Sequence, residues 1–269
     1  MEERGVGIGQ PDKMCADLEG PFDRVHVAAR RLAGARRAGV LLKDLTPDCR
    51  PKSLGEAFAV QDAVTQILGE RIRGWKVASG GDGGLLRAAL LESVFFEGDS
   101  EIESAAVSYL GIEAEVAFKL MADLPSRSTP YVRDEVARAV WACPAIEVVH
   151  SRFVNFEAVT SYERVADHLL NGAFAHGPAL STWAKLDLRT VRVRLEVDGT
   201  LVVDSIGGHP TVDPLLPLVE LANYFRREGG LKAGQLVTTG SFTGLVRINP
   251  GQKVRALFSQ LGGVEARFT

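Results

Sequence analysis

The hydrophobic period of this chain changes once, at Gly74, and that change limits the folds open to it. Before Gly74, apolar residues recur at helical spacing. Val25, Ala28, Ala29, Leu32 and Ala33 share one face over residues 22–38. Ala57, Val60, Val64 and Ile67 do the same over residues 53–71, where Ser53 is placed to cap the helix and Glu56 to complete a capping box. After Gly74 the pattern shifts to short β-like runs at 75–78, 112–120, 145–149, 191–197, 235–239 and 253–258, punctuated by Gly, Pro and Asp. Helical interruptions are expected at 133–142, 162–170 and 214–228. Strands and helices do not alternate regularly, which argues against a doubly wound parallel sheet. The expected class is α+β: a flexible tail over 1–20, a small helical region over 21–73 and a β-rich domain over 74–269.

Composition narrows the function. The chain has 269 residues, 46% hydrophobic and 24% charged, which excludes a disordered polypeptide. A net charge of −3 lacks the basic excess that phosphate neutralisation requires, so no nucleic-acid partner is expected. Cys15, Cys49 and Cys143 are too few and too scattered for a disulfide framework or a zinc site. No apolar run approaches membrane-span length, and the N-terminus lacks the apolar core of a signal peptide. The expected location is the cytoplasm. The GVGIGQ stretch at 5–10 reads as a loose terminus, since no strand precedes it.

Two segments carry carboxylates where a plain surface would not. In GIEAEVAF, Glu113 and Glu115 are two residues apart, so on a strand they share a face, roughly 7 Å apart. The pair suits either an edge strand with a wet face or a site containing a cation. In CPAIEVV, Glu147 interrupts an apolar run, and a buried carboxylate needs a partner. Arg152 is one candidate and a metal ion another. Together the three form an oxygen-only donor set suited to Mg²⁺ or Mn²⁺. Lys76 lies in a short apolar strand before the glycine-rich residues 79–84. It either snorkels to the surface or is a partly buried ammonium able to donate protons. The histidines are scattered and read as ordinary hydrogen-bonded side chains.

The order of GWK, IEAEVAF, PAIEVVHSR, VADHLLNGAFAHGP, LVTTGSFTG and a closing LGGVEARF resembles the 2-keto-4-pentenoate hydratase group of the fumarylacetoacetate hydrolase superfamily. The helical EAFAVQDAV is similar to that group too, and the resemblance spans residues 25–268. It implies a mixed β-sandwich roll behind a small helical region, and a divalent metal held by Glu113, Glu115 and Glu147. It places Lys76 as the catalytic lysine of the GWK motif, and Asp167 and Ser241 at the substrate. Two departures stand out. His168 follows Asp167 where hydratase-like members read Asn, and GDGGLLRAALLESVFFEG offers only Asp82 in place of the usual acidic segment after the GWK strand.

What the resemblance implies is a hydratase acting on a small 2-oxo acid, adding water to a 2-hydroxydienoate to give a 4-hydroxy-2-oxo acid in the breakdown of aromatic compounds. Residues 79–84 are expected to close over the site. The alternatives are a 2-oxo-3-enedioate decarboxylase, then a C–C hydrolase, or a non-catalytic metal-binding partner subunit. A homo-oligomer is expected, as is a complex with a sister decarboxylase or hydratase. Arg87, Arg152 and Arg247 are the candidates to hold a second substrate carboxylate.

Overall fold

Helical periodicity in the first part of the chain produces two helices in the computed structural model, which describes residues 21–79, 84–104 and 110–269. α1 spans Pro21–Ala38 and α2 spans Leu54–Leu68. Ser53 caps α2 by accepting from the Glu56 N–H at 3.2 Å. The Glu56 carboxylate reaches past Ser53 to the Lys52 N–H at 2.8 Å, so half of the expected capping box forms. Gly69 ends the helix in the left-handed region at φ 68°. Among the described residues, no helix is long and apolar enough to cross a membrane.

The remaining elements follow in chain order. The first strands are β1 Ile72–Ser79, β2 Leu85–Leu91, β3 Phe95–Glu97, β4 Ser100–Ile102 and β5 Gly111–Leu120. α3 Arg133–Arg138 leads into β6 Val140–Val149, then α4 Ser161–Ala166 and β7 Asn171–His176. β8 Arg192–Val197 and β9 Thr200–Ile206 precede α5 Leu216–Phe225. β10 Leu236–Ser241, β11 Val246–Arg247, β12 Lys253–Phe258 and β13 Gly262–Phe268 complete the chain. The helix expected over 133–142 stops at Arg138 because the apolar run from Val140 is claimed by β6, where it is buried.

These elements form two units. One combines the described part of Met1–Glu70 with His150–Leu170, and the other combines Arg71–Val149 with Asn171–Thr269. The expected boundary at 73/74 therefore differs from the observed one, and residues 150–170 return to the helical unit. Long-range hydrogen bonds account for this: Glu163 accepts from the Leu45 N–H at 2.9 Å and Gln61 of α2 donates to the Val165 carbonyl at 2.8 Å. Such long-range pairing has no signal in local periodicity.

The second unit contains a mixed eight-stranded sheet in the order β2-β1-β10-β5-β6-β7-β3, with β11 beside β5, and a five-stranded sheet in the order β4-β13-β12-β8-β9. β1 runs parallel to β10 and β3 parallel to β7; the other pairs of the larger sheet are antiparallel. β5 and β6 pair over ten residues and are buried on both faces, which explains their near-continuous apolar sequences. Gly74 is required where β1 meets β10, because a Cβ there would stand 2.1 Å from the Leu236 carbonyl oxygen. That contact fixes the register placing Lys76 opposite Thr238.

Candidate metal centre

Strand alternation delivers the site to one face of the larger sheet. Glu113 and Glu115 are two apart on β5 and share that face, and Glu147 on β6 is the register partner of Glu113. Lys76 comes from β1, Thr238 and Ser241 from β10, and Asn171 from β7. Five adjacent strands thus contribute a side chain each or more. Carboxylate oxygens from Glu113, Glu115 and Glu147 lie within 4.8 Å of one another, a spacing that one cation can bridge.

The partners of each carboxylate differ. Glu115, 1% exposed, accepts at Oε2 from the Thr238 hydroxyl and from the Gly240 N–H at 3.1 Å. Gly240 adopts φ 124°, a conformation open to glycine, and so turns its N–H onto the carboxylate. Glu113 is half-buried, and the neighbouring Ser241 hydroxyl, which donates to the Gly244 carbonyl at 3.4 Å, favours its charged form. Glu147 is fully buried; its Oε1 accepts from Lys76 Nζ at 2.7 Å and from Asn171 Nδ2 at 3.2 Å. Glu147 Oε2 is buried and has no hydrogen-bond partner among the described residues. The Glu147 ion pair is therefore made with Lys76, not with Arg152.

Charge at this site is unbalanced. Burial raises the pKa of Glu115 well above the ordinary value, and the neighbouring Glu147 and Glu113 raise it further. Burial and Glu147 raise Glu113 as well, with Lys76 opposing. Burial presses the Lys76 ammonium towards its neutral form, but the carboxylates, Glu147 foremost, outweigh it and hold the pKa above normal. Three carboxylates around one ammonium, with an acceptor-only oxygen orphaned in the interior, fit a hard divalent cation. The observations that decide the fit are the orphaned Oε2 and the all-oxygen donor set.

The other residues singled out from sequence fall elsewhere. Asp167 lies in the helical unit, where it accepts from the Ser151 hydroxyl at 3.0 Å, from the Arg152 N–H at 2.9 Å and from Arg152 Nε. Its oxygens are thus committed to the fold of that unit. His168 is buried with its Nε2 3.2 Å from the Thr65 hydroxyl. Arg87 pairs in register with Val77 and so faces away from Lys76, its guanidinium within 6 Å of the rings of Trp75, Tyr224 and Phe225. Arg247 is exposed on β11. Residues 80–83, including Asp82, and the GVGIGQ stretch lie outside the described residues. A cleft of about 410 Å³ bounded by Arg133, Trp183 and Arg189 includes none of the centre's residues. Thr238 and Asn171 were missed by sequence reasoning, which has no means of pairing strands so distant in the chain.

Residues 92–269 match the model of the fumarylacetoacetate (FAA) hydrolase C-terminal family. The chain belongs to that family. Within it, the resemblance to the 2-keto-4-pentenoate hydratase group holds over most of the sequence. The 2-keto-4-pentenoate hydratase of Paraburkholderia xenovorans (strain LB400) is 29% identical over 264 residues, covering 90% of this chain and 93% of that protein. The 4-oxalocrotonate decarboxylase of Pseudomonas putida is 31% identical over 158 residues, covering 58% of this chain and 59% of that protein's length. Among solved structures, the 4-oxalocrotonate decarboxylase from Pseudomonas putida G7, complexed with magnesium and adipate, superposes with a TM-score of 0.80 at 24% identity. That match covers 94% of this chain and 100% of the other, and it shows that this FAA hydrolase family member has the fold expected from its sequence. Fumarylpyruvate hydrolase from Pseudomonas aeruginosa, complexed with Mn²⁺ and pyruvate, matches more distantly, with a TM-score of 0.55 at 15% identity over 74% of this chain and 91% of that one.

Proposed function

We propose that this chain is a divalent-metal-dependent hydratase that adds water to a 2-hydroxy-2,4-dienoate to give a 4-hydroxy-2-oxo acid, a step in the breakdown of ring-opened aromatic compounds. The observation that carries the reading is the clustering of the Glu113, Glu115 and Glu147 carboxylates, with Glu147 Oε2 buried and unpartnered among the described residues, combined with a match to hydratases over nearly the full chain. Glu113, Glu115 and Glu147 would hold Mg²⁺ or Mn²⁺, which when bound supplies Lewis-acid polarisation of the substrate's carboxylate and 2-oxo group.

The chain's own residues do the rest. Lys76 Nζ is the proton carrier. Its side chain is 13% exposed, and the surrounding carboxylates keep it in the ammonium form, so it acts first as a donor to a substrate carbon. The Ser241 hydroxyl is half-buried next to Glu113 and binds substrate in this reading. Thr238 and the Gly240 N–H hold Glu115 in place. Asp167 receives no substrate role, because Ser151 and Arg152 occupy its carboxylate.

A decarboxylase acting on a 2-oxo-3-enedioate is the second reading, favoured by the 31% identity to 4-oxalocrotonate decarboxylase over 158 residues. The test supplies Mg²⁺ or Mn²⁺ with 2-hydroxypenta-2,4-dienoate in one assay and a 2-oxo-3-enedioate in another. Metal-dependent loss of the dienol absorbance without CO₂ release supports the hydratase. CO₂ release from the enedioate alone replaces it with the decarboxylase. Metal binding without turnover of either substrate points to a binding subunit.

A further inference from the structure

β7 breaks strict alternation at one place, and the break carries a side chain to the carboxylates. Ala173 pairs with Val148 and Asn171 with Val149, so two steps along β7 oppose one along β6, and Gly172 is the extra residue. In an unbroken strand, residues 172, 174 and 176 share a face and residue 171 takes the other. Phe174, the register partner of Glu147, lies on the face of the carboxylates. Without the bulge Asn171 would point away from Glu147; with it, Asn171 is re-aimed onto that face.

Asn171 is 1% exposed there, and its Nδ2 donates to Glu147 Oε1 at 3.2 Å and to the Ala173 carbonyl at 3.4 Å. The opposite amide orientation would set Oδ1 against a carboxylate oxygen, so the hydrogen-bond network selects this one. Lys76 donates to the same Oε1 at 2.7 Å. In the strand order, β1 lies on one side of β6 and β7 on the other, so the two donors reach Oε1 from opposite sides. A single flexible lysine fixes a distance; a second donor from the other side fixes the plane of the carboxylate as well.

From this geometry we infer that Asn171 is a positioning residue. It holds Glu147 so that Oε1 is occupied by the protein and Oε2 is the oxygen offered to the cation. The inference rests on the reading that Glu147 ligates a metal.

Mn²⁺ titration of the full chain, followed by the electron paramagnetic resonance signal of free Mn²⁺, tests it without reference to turnover. Asn171→Leu keeps the volume and removes the donor, and Asn171→Gln keeps a donor amide. The folded Leu variant should bind Mn²⁺ about 10- to 100-fold more weakly, the usual range for losing an outer-shell partner. The Gln variant should recover most of that loss. If Asn171→Leu fails to fold by circular dichroism, Asn171→Ala replaces it in the comparison with Gln. A folded donor-free variant that binds Mn²⁺ as tightly as the unmodified chain overturns the inference, as does a Gln variant no better than it. An unmodified chain that binds no Mn²⁺ overturns the metal reading itself, which separates the two failures.

Discussion

The two units bury carboxylates in opposite ways. In the helical unit, Glu163 has both oxygens engaged: Oε1 with the Leu45 N–H and the Arg50 guanidinium, Oε2 with the Thr160 N–H and hydroxyl. Asp167 is equally committed, to Ser151 and Arg152. In the β unit, among the described residues, Glu113, Glu115 and Glu147 share the Lys76 ammonium, and the fully buried Glu147 Oε2 has no partner. A charge buried to hold a fold collects its partners from the chain. At these three carboxylates the described residues stop short of neutrality, a shortfall that the proposed cation would make up. Burial alone would not separate the two cases, since Asp167, Glu163, Glu115 and Glu147 are all at most 2% exposed.

Neutralising one residue of each kind should break this symmetry of burial, and the largest effect is expected at the centre. Glu113→Gln removes a ligand, so metal-dependent turnover should fall to background and Mn²⁺ affinity by more than the roughly 100-fold of an outer-shell loss. Yet the metal-free chain should become more stable to urea, because the fold already disfavours the ionised form of Glu113. Retained turnover, or a lower metal-free stability, would contradict the metal-centre assignment. Asp167→Asn should behave in reverse. It removes the charge that Asp167 sets against the buried Arg152 guanidinium, at a cost of about 3–5 kcal/mol in urea unfolding. A variant with unchanged stability and impaired turnover would restore Asp167 as a substrate residue.

Sequence patterns revealed the acids of the centre but not their supports, for a physical reason. Glu113 and Glu115 are legible because a period of two is local, and Glu147 because a charge in an apolar run is anomalous wherever the strand lies. Lys76 is legible from its apolar strand. Thr238 reaches Glu115 only through the register of β10 against β5, set by strands more than a hundred residues apart in sequence. Asn171 is hidden further, because the period-two rule places it on the wrong face until the bulge at Gly172 is known. The helix expected over 162–170 is likewise cut short: His168, Leu169 and Leu170 take φ values of 52°, 51° and 62°, a left-handed turn that apolar periodicity does not encode.

The smallest contrast is in how the two units respond to pH. Burial, with Arg152 and Arg36 nearby, lowers the pKa of His150 from 6.5 to about 3. Between those values the unfolded chain binds a proton that the folded helical unit rejects, so stability is lost as pH falls from about 6.5 towards 3. Glu113 and Glu115 are raised above 4.5, so the opposite holds in the β unit without metal. There the folded state keeps protons that the unfolded chain has released, and stability is lost as pH rises from 4.5 through the raised values. Each slope is at most about 1.4 kcal/mol per pH unit per proton. Hydrogen–deuterium exchange, corrected for intrinsic rates, reads the two units separately through amides of α2 and β5. Acidification should loosen α2 and tighten β5 in the metal-free chain; His150→Asn should flatten the first slope, and saturating Mn²⁺, by taking the place of the protons, the second. Parallel slopes in the two units would mean that their buried charges are not held for different purposes.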